Sequence, residues 1–371
     1  MSQVQRLDSV AEITMGQAPA GESYNVDGNG MPLIAGAGDF GELHPAPKKY
    51  TTAPGKTCQA GDIILGIRAT IGNKVLAGRQ YCLGRGVAGL RARPGLDGRY
   101  LWHWLTHAAP SLAIKAKGAT FKQVNRQDIG ALHITVPPLP EQRRIAEILD
   151  KADVLLAKRQ AALTQLDTLT QSIFFDMFGD PVTNPKGWPV EVLRSLGRVT
   201  TGGTPPSAKE GMFDGAIPFI TPGDLESDQP IKRTVTDAGA AACRTVDAGA
   251  TLVCCIGATI GKIGKSTVRS AFNQQINAVE WGARMHTEYG CAVMRFFKPT
   301  IIAWGSSTTL PILKKSSFER VEIPVPPLTD QQEFALRIER VERVRATHSV
   351  ALSTSNELFS ALQVMAFRGG L

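Results

Sequence analysis

No run in this 371-residue chain approaches the roughly 18 uninterrupted apolar residues of a membrane-spanning helix, and the opening MSQVQRLDSV lacks the apolar centre of a secretion signal. Both absences set the expectation of a cytosolic protein. Cysteine is scarce and unpatterned: Cys58, Cys82, Cys243, Cys254, Cys255 and Cys291 form no Cys-x-x-Cys pair and have no histidine at metal-ligand spacing. The expectation is reduced, mostly buried thiols and no metal site. Six histidines, with no close His-Asp-Ser or His-Cys grouping, give a hydrolase little support. A phosphate loop is missing too, because Thr259 stands five residues before Gly264-Lys265-Ser266, where the motif needs glycine.

What the chain does contain is apolar material and positive charge. Hydrophobic residues make up 43%, ample for two or three cores, so the chain is not disordered. Lys and Arg number 41 against 33 Asp and Glu, a net charge of +8, which favours a polyanionic partner.

The chain also repeats itself. Ala-Thr-Ile-Gly occurs at 69–72 within GIRATIGNKV and at 258–261 within CIGATIGKIG, 189 residues later. Upstream, Leu193-Arg194-Ser195-Leu196 matches Leu7-Asp8-Ser9-Val10, and Ile217-Pro218-Phe219-Ile220 matches Met31-Pro32-Leu33-Ile34, at an offset of 186. Downstream, at 189, Tyr289 matches Tyr100, Thr309 matches Thr120, and Val325-Pro326-Pro327-Leu328 matches Val136-Pro137-Pro138-Leu139. The stretches 40–57 and 225–246 do not match. The copies share a frame and differ in loops, which points to two related surfaces with different targets.

After each Pro-Pro-Leu comes a heptad seam of about five repeats. The first carries Ile145, Leu149, Leu156, Leu163, Leu166 and Ile173; the second carries Phe334, Ile338, Val341, Leu352, Phe359 and Leu362. Pro140-Glu141 and Thr329-Asp330 suit first helical turns, and Gly179 with Pro181 ends the first helix. A helix over 140–178 would be about 55 Å long. Each seam's natural partner is the other, packed antiparallel about a pseudo-two-fold axis, with Arg159 and His348 as polar seam residues that either fix register or face solvent. The expected fold class is α+β: globular domains at 1–139 and 179–328, each mixed α/β and strand-rich, separated by long helices at 140–178 and 329–371 in a coiled-coil pair. Two unequal readers on a rigid spacer suit two separated places on a rod such as DNA.

IPVPPLTDQQEFALRIERV, ITVPPLPEQRRIAEILDKADVLLAKR, SIFFDMFGDPVTNPKGWP and the paired AGDIILGIRATIG and AGATLVCCIGATIG segments resemble the specificity subunits of type I restriction-modification systems along essentially the whole chain. The resemblance implies that each recognition domain grips one half of a bipartite, asymmetric site on double-stranded DNA. It further implies that the helices dock two methyltransferase (modification) subunits, that restriction (endonuclease and translocase) subunits add to these, and that this chain catalyses nothing. S-adenosylmethionine and ATP are expected in the partner subunits and no cofactor in this chain. The sequence agrees in lacking the Asn/Asp-Pro-Pro-Tyr/Phe tetrapeptide of a DNA adenine methyltransferase. Alternatives are a noncatalytic two-domain protein scaffold or the recognition part of a single-chain restriction-methylation enzyme.

Candidate DNA contacts follow from charge and hydrogen-bonding capacity. Around the two glycine turns stand Arg68, Thr70 and Lys74, and Lys262 and Lys265, suited to phosphate. Arg85, within Gly84-Arg85-Gly86, lies opposite Asn273, Gln274 and Gln275; arginine pairs well with guanine, asparagine and glutamine with adenine. Lys115, Lys117, Lys122 and Arg126, with Lys314, Lys315 and Arg320 in the second copy, form basic runs suited to the DNA backbone. Each of these residues could equally belong to an ordinary solvated loop. Trp102 and Trp104 are expected to pack rather than stack on bases.

Overall fold

Short apolar runs such as Ile63-Ile64-Leu65 must be buried on both faces, and in the computed structural model, which describes residues 3–118, 122–227, 229–305 and 311–368, they are central strands. The chain forms two compact units, Met1–Ala161 with Ser349–Leu371, and Ala162–His348.

In the first unit, strands Ala11–Met15, Val87–Ala92, Ile63–Gly66 and Lys74–Leu76 form an antiparallel sheet in that order. Ile63 and Leu65 face the helix Gly98–Ile114, joining Tyr100, Leu101 and Trp104 in one core. Ile64 faces the other way, joining Ile34, Cys58, Leu83 and Val87 in a second core. That second core lies against a five-stranded sheet in which Met31–Ile34 runs parallel to Tyr81–Leu83.

The second unit repeats this plan with strands Gly197–Thr201, Ile276–Trp281, Thr251–Cys254 and Ile263–Lys265, helix Thr287–Phe296, and a second sheet of four strands. Its extra sheet differs where the unmatched loops differ. Counting back from Ala-Thr-Ile-Gly pairs Ile63-Ile64-Leu65 with Leu252-Val253-Cys254, but the hydrogen bonds correct this by one residue. Ile64 lies opposite Gly89 and Leu252 opposite Ala278, so Ile64 corresponds to Leu252. The turn of the second unit is therefore one residue longer, and Ala69 (φ 54°) takes the left-handed place of Gly257 (φ 93°).

Two uninterrupted helices follow the Pro-Pro-Leu segments, Leu139–Phe178 and Leu328–Arg368, and neither contains glycine or an internal proline beyond its first turn. At 1.5 Å per residue each is about 60 Å long. Pairs four residues apart, Glu147 with Lys151 (2.7 Å), Glu333 with Arg337 (2.9 Å) and Glu339 with Arg343 (2.9 Å), add modest support on the exposed face. The first helix stops where its sequence dictates. Gly179 is left-handed (φ 76°), and Lys186 Nζ donates to the carbonyls of Asp176 and Met177 at 2.7 and 2.8 Å, capping the negative helix end.

Seam positions are the less exposed ones along both helices. Ile145 and Leu149 are buried, Leu156, Leu163, Leu166 and Ile173 half-buried; Phe334, Ile338 and Val341 are buried, Leu352, Phe359 and Leu362 half-buried. In the first unit, the start of the first long helix (Ile145, Leu149) shares a core with the end of the second (Phe359, Leu362, Ala366, Phe367). In the second unit, the end of the first (Phe174, Phe178) shares a core with the start of the second (Phe334, Ile338). The two helices are thus antiparallel. Arg159 and His348 are half-buried rather than solvated, and the Nε of Arg159 and Nδ1 of His348 have no hydrogen-bond partner among the described residues.

Candidate nucleic-acid interface

The glycine turn of the first unit opens onto a cleft of about 780 Å3, floored by backbone from Gly36, Ala37, Gly38, Gly84 and Gly86 and edged by Arg68, Ala69, Thr70 and Arg85. Close packing requires the glycines. A Cβ on Gly86 would lie 2.4 Å from the Ala35 carbonyl oxygen, and one on Gly72 would meet Ala109 Cβ at 2.6 Å. Ala69 holds the turn in a left-handed conformation that alanine adopts at a cost of order 1 kcal/mol. Arg68 is exposed, and its Nε donates to Gln123 Oε1 at 2.9 Å, which fixes the guanidinium beside the cleft. Arg85 is exposed and makes no side-chain hydrogen bond among the described residues.

Lys117 exchanges backbone hydrogen bonds with Gln123 at 3.0 Å, bringing the basic run alongside Arg68. Lys115 caps the end of helix Gly98–Ile114, and Lys122 and Arg126 are exposed. Ala119 and Thr120 of this run, and Thr309 of the second copy, lie outside the described residues. Lys74 is placed differently. Its Nζ donates to Thr106 Oγ1 at 2.5 Å and sits 4.2 Å from the Trp102 ring, and burial pulls its pKa down to about 8. That internal engagement takes Lys74 out of the exposed basic set. Trp104 is buried in the core.

In the second unit the equivalent region is built from other groups. Backbone bonding equates Ala18, Arg68, Arg85, Gly86 and Gln123 with Thr204, Ile256, Gln274, Gln275 and Ile312. Asn273 is buried, its Nδ2 donating to Gln275 Oε1 at 3.0 Å, while Gln275 N donates to Asn273 Oδ1 at 3.1 Å and Gln275 Nε2 to the Ile256 carbonyl at 3.3 Å. These two side chains close the turn upon itself and are not free to read a base as placed. Gln274 alone of the three is exposed, and its Oε1 accepts from Thr204 Oγ1 at 2.6 Å. Lys265 is spent on an ion pair with Glu288, and Lys262 is half-buried close to Glu226, whose carboxylate also takes Lys298 at 2.8 Å. Lys314, Lys315 and Arg320 are exposed around the short helix Lys315–Phe318, although Lys315 pairs with Glu319 at 3.5 Å.

One pair of residues escapes a reading based on charge and heptads. Gln142 and Gln331, 189 apart in the first turns of the long helices, are both fully buried. Gln142 Oε1 accepts from Asp97 N at 2.7 Å while its Nε2 donates to the carbonyls of Gly95 (2.9 Å) and Pro137 (2.7 Å). Gln331 does the same with His286 N (2.8 Å), Arg284 (3.1 Å) and Pro326 (2.9 Å). Each helix is thereby bolted to the loop that opens its unit's own domain helix. The signal was an identical residue at the repeat offset.

Among the described residues no group of three or more His, Cys, Asp or Glu could hold a metal ion, and no helix is long and apolar enough to cross a membrane. Cys58, Cys82, Cys254, Cys255 and Cys291 are buried free thiols, and Cys243 is half-buried.

The family described as type I restriction modification DNA specificity domain matches residues 2–165 and again 185–351. A putative type I restriction enzyme MjaX specificity subunit of Methanocaldococcus jannaschii is 32% identical over 163 residues, 44% of this chain and 38% of that one. The match to the MjaIX specificity subunit of the same organism covers 56% of that relative, so this chain spans about half or less of the length of these two. The EcoBI specificity subunit of Escherichia coli is 22% identical across 98% of this chain and 85% of its own. In fold, the crystal structure of a type I restriction-modification S subunit from M. genitalium superposes with a TM-score of 0.62 at 14% identity, covering 99% of this chain and 96% of that one. A chain from a study of type I R-M complex assembly and conformational transition gives 0.60 at 18% identity, covering 100% and 98%. Both halves of the repeat carry the family's domain, and the chain belongs to the type I restriction modification DNA specificity domain family.

Proposed function

We propose that this chain is the sequence-reading subunit of a type I restriction-modification complex, in which the first unit grips one half of a bipartite duplex site and the second grips the other. The observation that carries the reading is the substitution pattern on a repeated frame. Where the backbone hydrogen bonds match, the side chains differ: exposed Arg85 against exposed Gln274, and exposed Arg68 against half-buried Ile256. A scaffold for one kind of protein partner would have no use for such a difference, whereas an asymmetric target requires it.

The long helices supply the spacing and the docking surface. Leu155, Ala162 and Leu169 recur every seven residues along the first, and Val344, Ala351 and Leu358 stand at the same places on the second. Leu155, Leu169, Val344 and Leu358 are each 43–59% exposed, an apolar row on each helix open to a partner. Two matching stripes fit two copies of one partner, the modification subunit; restriction subunits then add. Methyl transfer, cleavage and translocation, with S-adenosylmethionine and ATP, belong to those partners in the cytoplasm.

Selection from randomised duplexes with the full chain tests the reading. One bipartite motif with unlike halves and a fixed gap is expected, with log affinity falling steeply against log salt. A flat salt response, or no enriched motif, overturns it.

A further inference from the structure

In each of the matched triplets Gly84-Arg85-Gly86 and Asn273-Gln274-Gln275 only the middle residue is exposed, and the two units fill that position differently. Gly84 and Gly86 are locked against Ala35 and carry nothing; Asn273 and Gln275 are bonded to each other and to the turn. Arg85 and Gln274 remain, between matching backbone hydrogen bonds: Gly84 N and Asn273 N donate to the carbonyls of Ile34 and Ile220, and Val87 N and Ile276 N donate to those of Gly84 and Asn273.

Their neighbours change with them. Beside Gln274 stands Thr204, whose hydroxyl holds the amide oxygen at 2.6 Å. The equivalent residue beside Arg85 is Ala18, which lines the cleft and has no hydroxyl to offer. Resting on the proposal that the chain reads duplex DNA, we infer that position 85/274 selects the purine in each half-site: Arg85 reads a guanine, and Gln274, oriented by Thr204, reads an adenine.

The chemistry follows from donor and acceptor patterns. A guanidinium offers only donors and matches the O6 and N7 acceptors of guanine in the major groove. A glutamine amide offers one acceptor and one donor group, matching the N6 donor and N7 acceptor of adenine. A free glutamine rotates about its last bond and can present either end. Donation from Thr204 assigns Oε1 to one side and leaves Nε2 for N7, while the second lone pair of Oε1 serves N6. Thr204 is thus a positioning residue. Arg85 needs no equivalent because both ends of its fork are donors. Arg68, anchored by Gln123, adds a second cation to the first cleft, where the second unit has the apolar pair Ile256 and Ile312.

The test is enrichment from randomised duplexes by the full chain, read by sequencing. In the double variant Ala18→Thr with Arg85→Gln, one guanine in one half-site should become adenine, with the other half and the gap unchanged. Thr204→Ala should keep the motif but relax preference at one adenine of the other half about tenfold, and Thr204→Ser should restore it. Arg85→Ala, on the exposed rim, guards against a folding failure of the double variant and should lose the guanine preference alone. An unchanged guanine in both Arg85 variants, or an unchanged adenine in Thr204→Ala, overturns the inference while leaving the DNA-reading function standing. A wild-type chain that enriches no motif removes both.

Discussion

The ring of Phe367 meets that of Tyr100 nearly edge-on, at 5.4 Å and 66°, and the ring of Phe178 meets that of Tyr289 in the same manner, at 4.8 Å and 72°. The two pairs are related member by member through the repeat offset of 189. In each, the tyrosine comes from the unit's domain helix and the phenylalanine from the last turns of a long helix. Tyr100 and Tyr289 are fully buried and donate their hydroxyls to the carbonyls of Thr135 (2.7 Å) and Pro324 (2.8 Å). The first unit is thus completed only by the far end of the chain.

Phe367→Ala should therefore destabilise the first unit by about 3 kcal/mol, the loss typical of a buried ring. Hydrogen exchange in helix Gly98–Ile114 should quicken while that in Thr287–Phe296 stays as it was. Phe178→Ala should give the converse pattern. Equal quickening in both units after either substitution would sink the account.

Gln142→Ala leaves the N–H of Asp97 and the carbonyls of Gly95 and Pro137 unpaired in a buried place, at about 2–4 kcal/mol in total. Chemical denaturation should show that loss, and Gln331→Ala a similar one. A change below about 1 kcal/mol would mean that water replaces the amide.

Much of this frame is legible in the sequence because it is periodic or repeated. Heptads mark the faces of the long helices, Gly179 and Pro181 mark a stop, and the repeat at 186 and 189 finds the duplicated frame. What escapes depends on contacts between distant residues. Lys74 looks like a flanking cation until Thr106, 32 residues away, takes its amine. Lys265 looks free until Glu288 pairs with it. The one-residue shift between Ile64 and Leu252 is hidden because both lie in uniformly apolar runs, where any register looks plausible. Of the three residues Asn273, Gln274 and Gln275, composition cannot say which two turn inward, since all can satisfy a turn or read a base.

Lys74 also carries a pH signature. Its folded pKa of about 8 lies below the ordinary value of 10.5 because the charged form is buried. Below pH 8 both folded and unfolded chains hold the proton, and the folded chain bears the burial penalty. Between pH 8 and 10.5 the unfolded chain binds more protons, so this group's contribution to stability rises with pH. Lys74→Met should raise the thermal midpoint at pH 7, with the gain shrinking as pH climbs through that window. A gain independent of pH would show that the amine is solvated.

Ala69 is strained where its counterpart Gly257 is not. Ala69→Gly should relieve the left-handed backbone and stabilise the first unit by about 0.5–1 kcal/mol, the relief exceeding the added freedom of the unfolded chain. Gly257→Ala should do the reverse. Calorimetry of both variants decides the matter; a destabilised Ala69→Gly would indicate that the alanine methyl is packed rather than tolerated.

The matched stripes on the long helices make a prediction about stoichiometry. If Leu155 and Leu169 seat one modification subunit and Val344 and Leu358 seat another, a charge placed in one stripe should remove one copy. Native mass spectrometry of the co-purified complex should find two modification subunits on the wild-type chain, one on Leu155→Asp, one on Val344→Asp and none on the double variant. Both positions are about half exposed, at 46% each, so the fold should tolerate the change. Should either single variant lose both copies together, the docking surfaces are not independent and each partner must span both stripes; should the double variant keep both, the exposed leucines and valines serve some other contact.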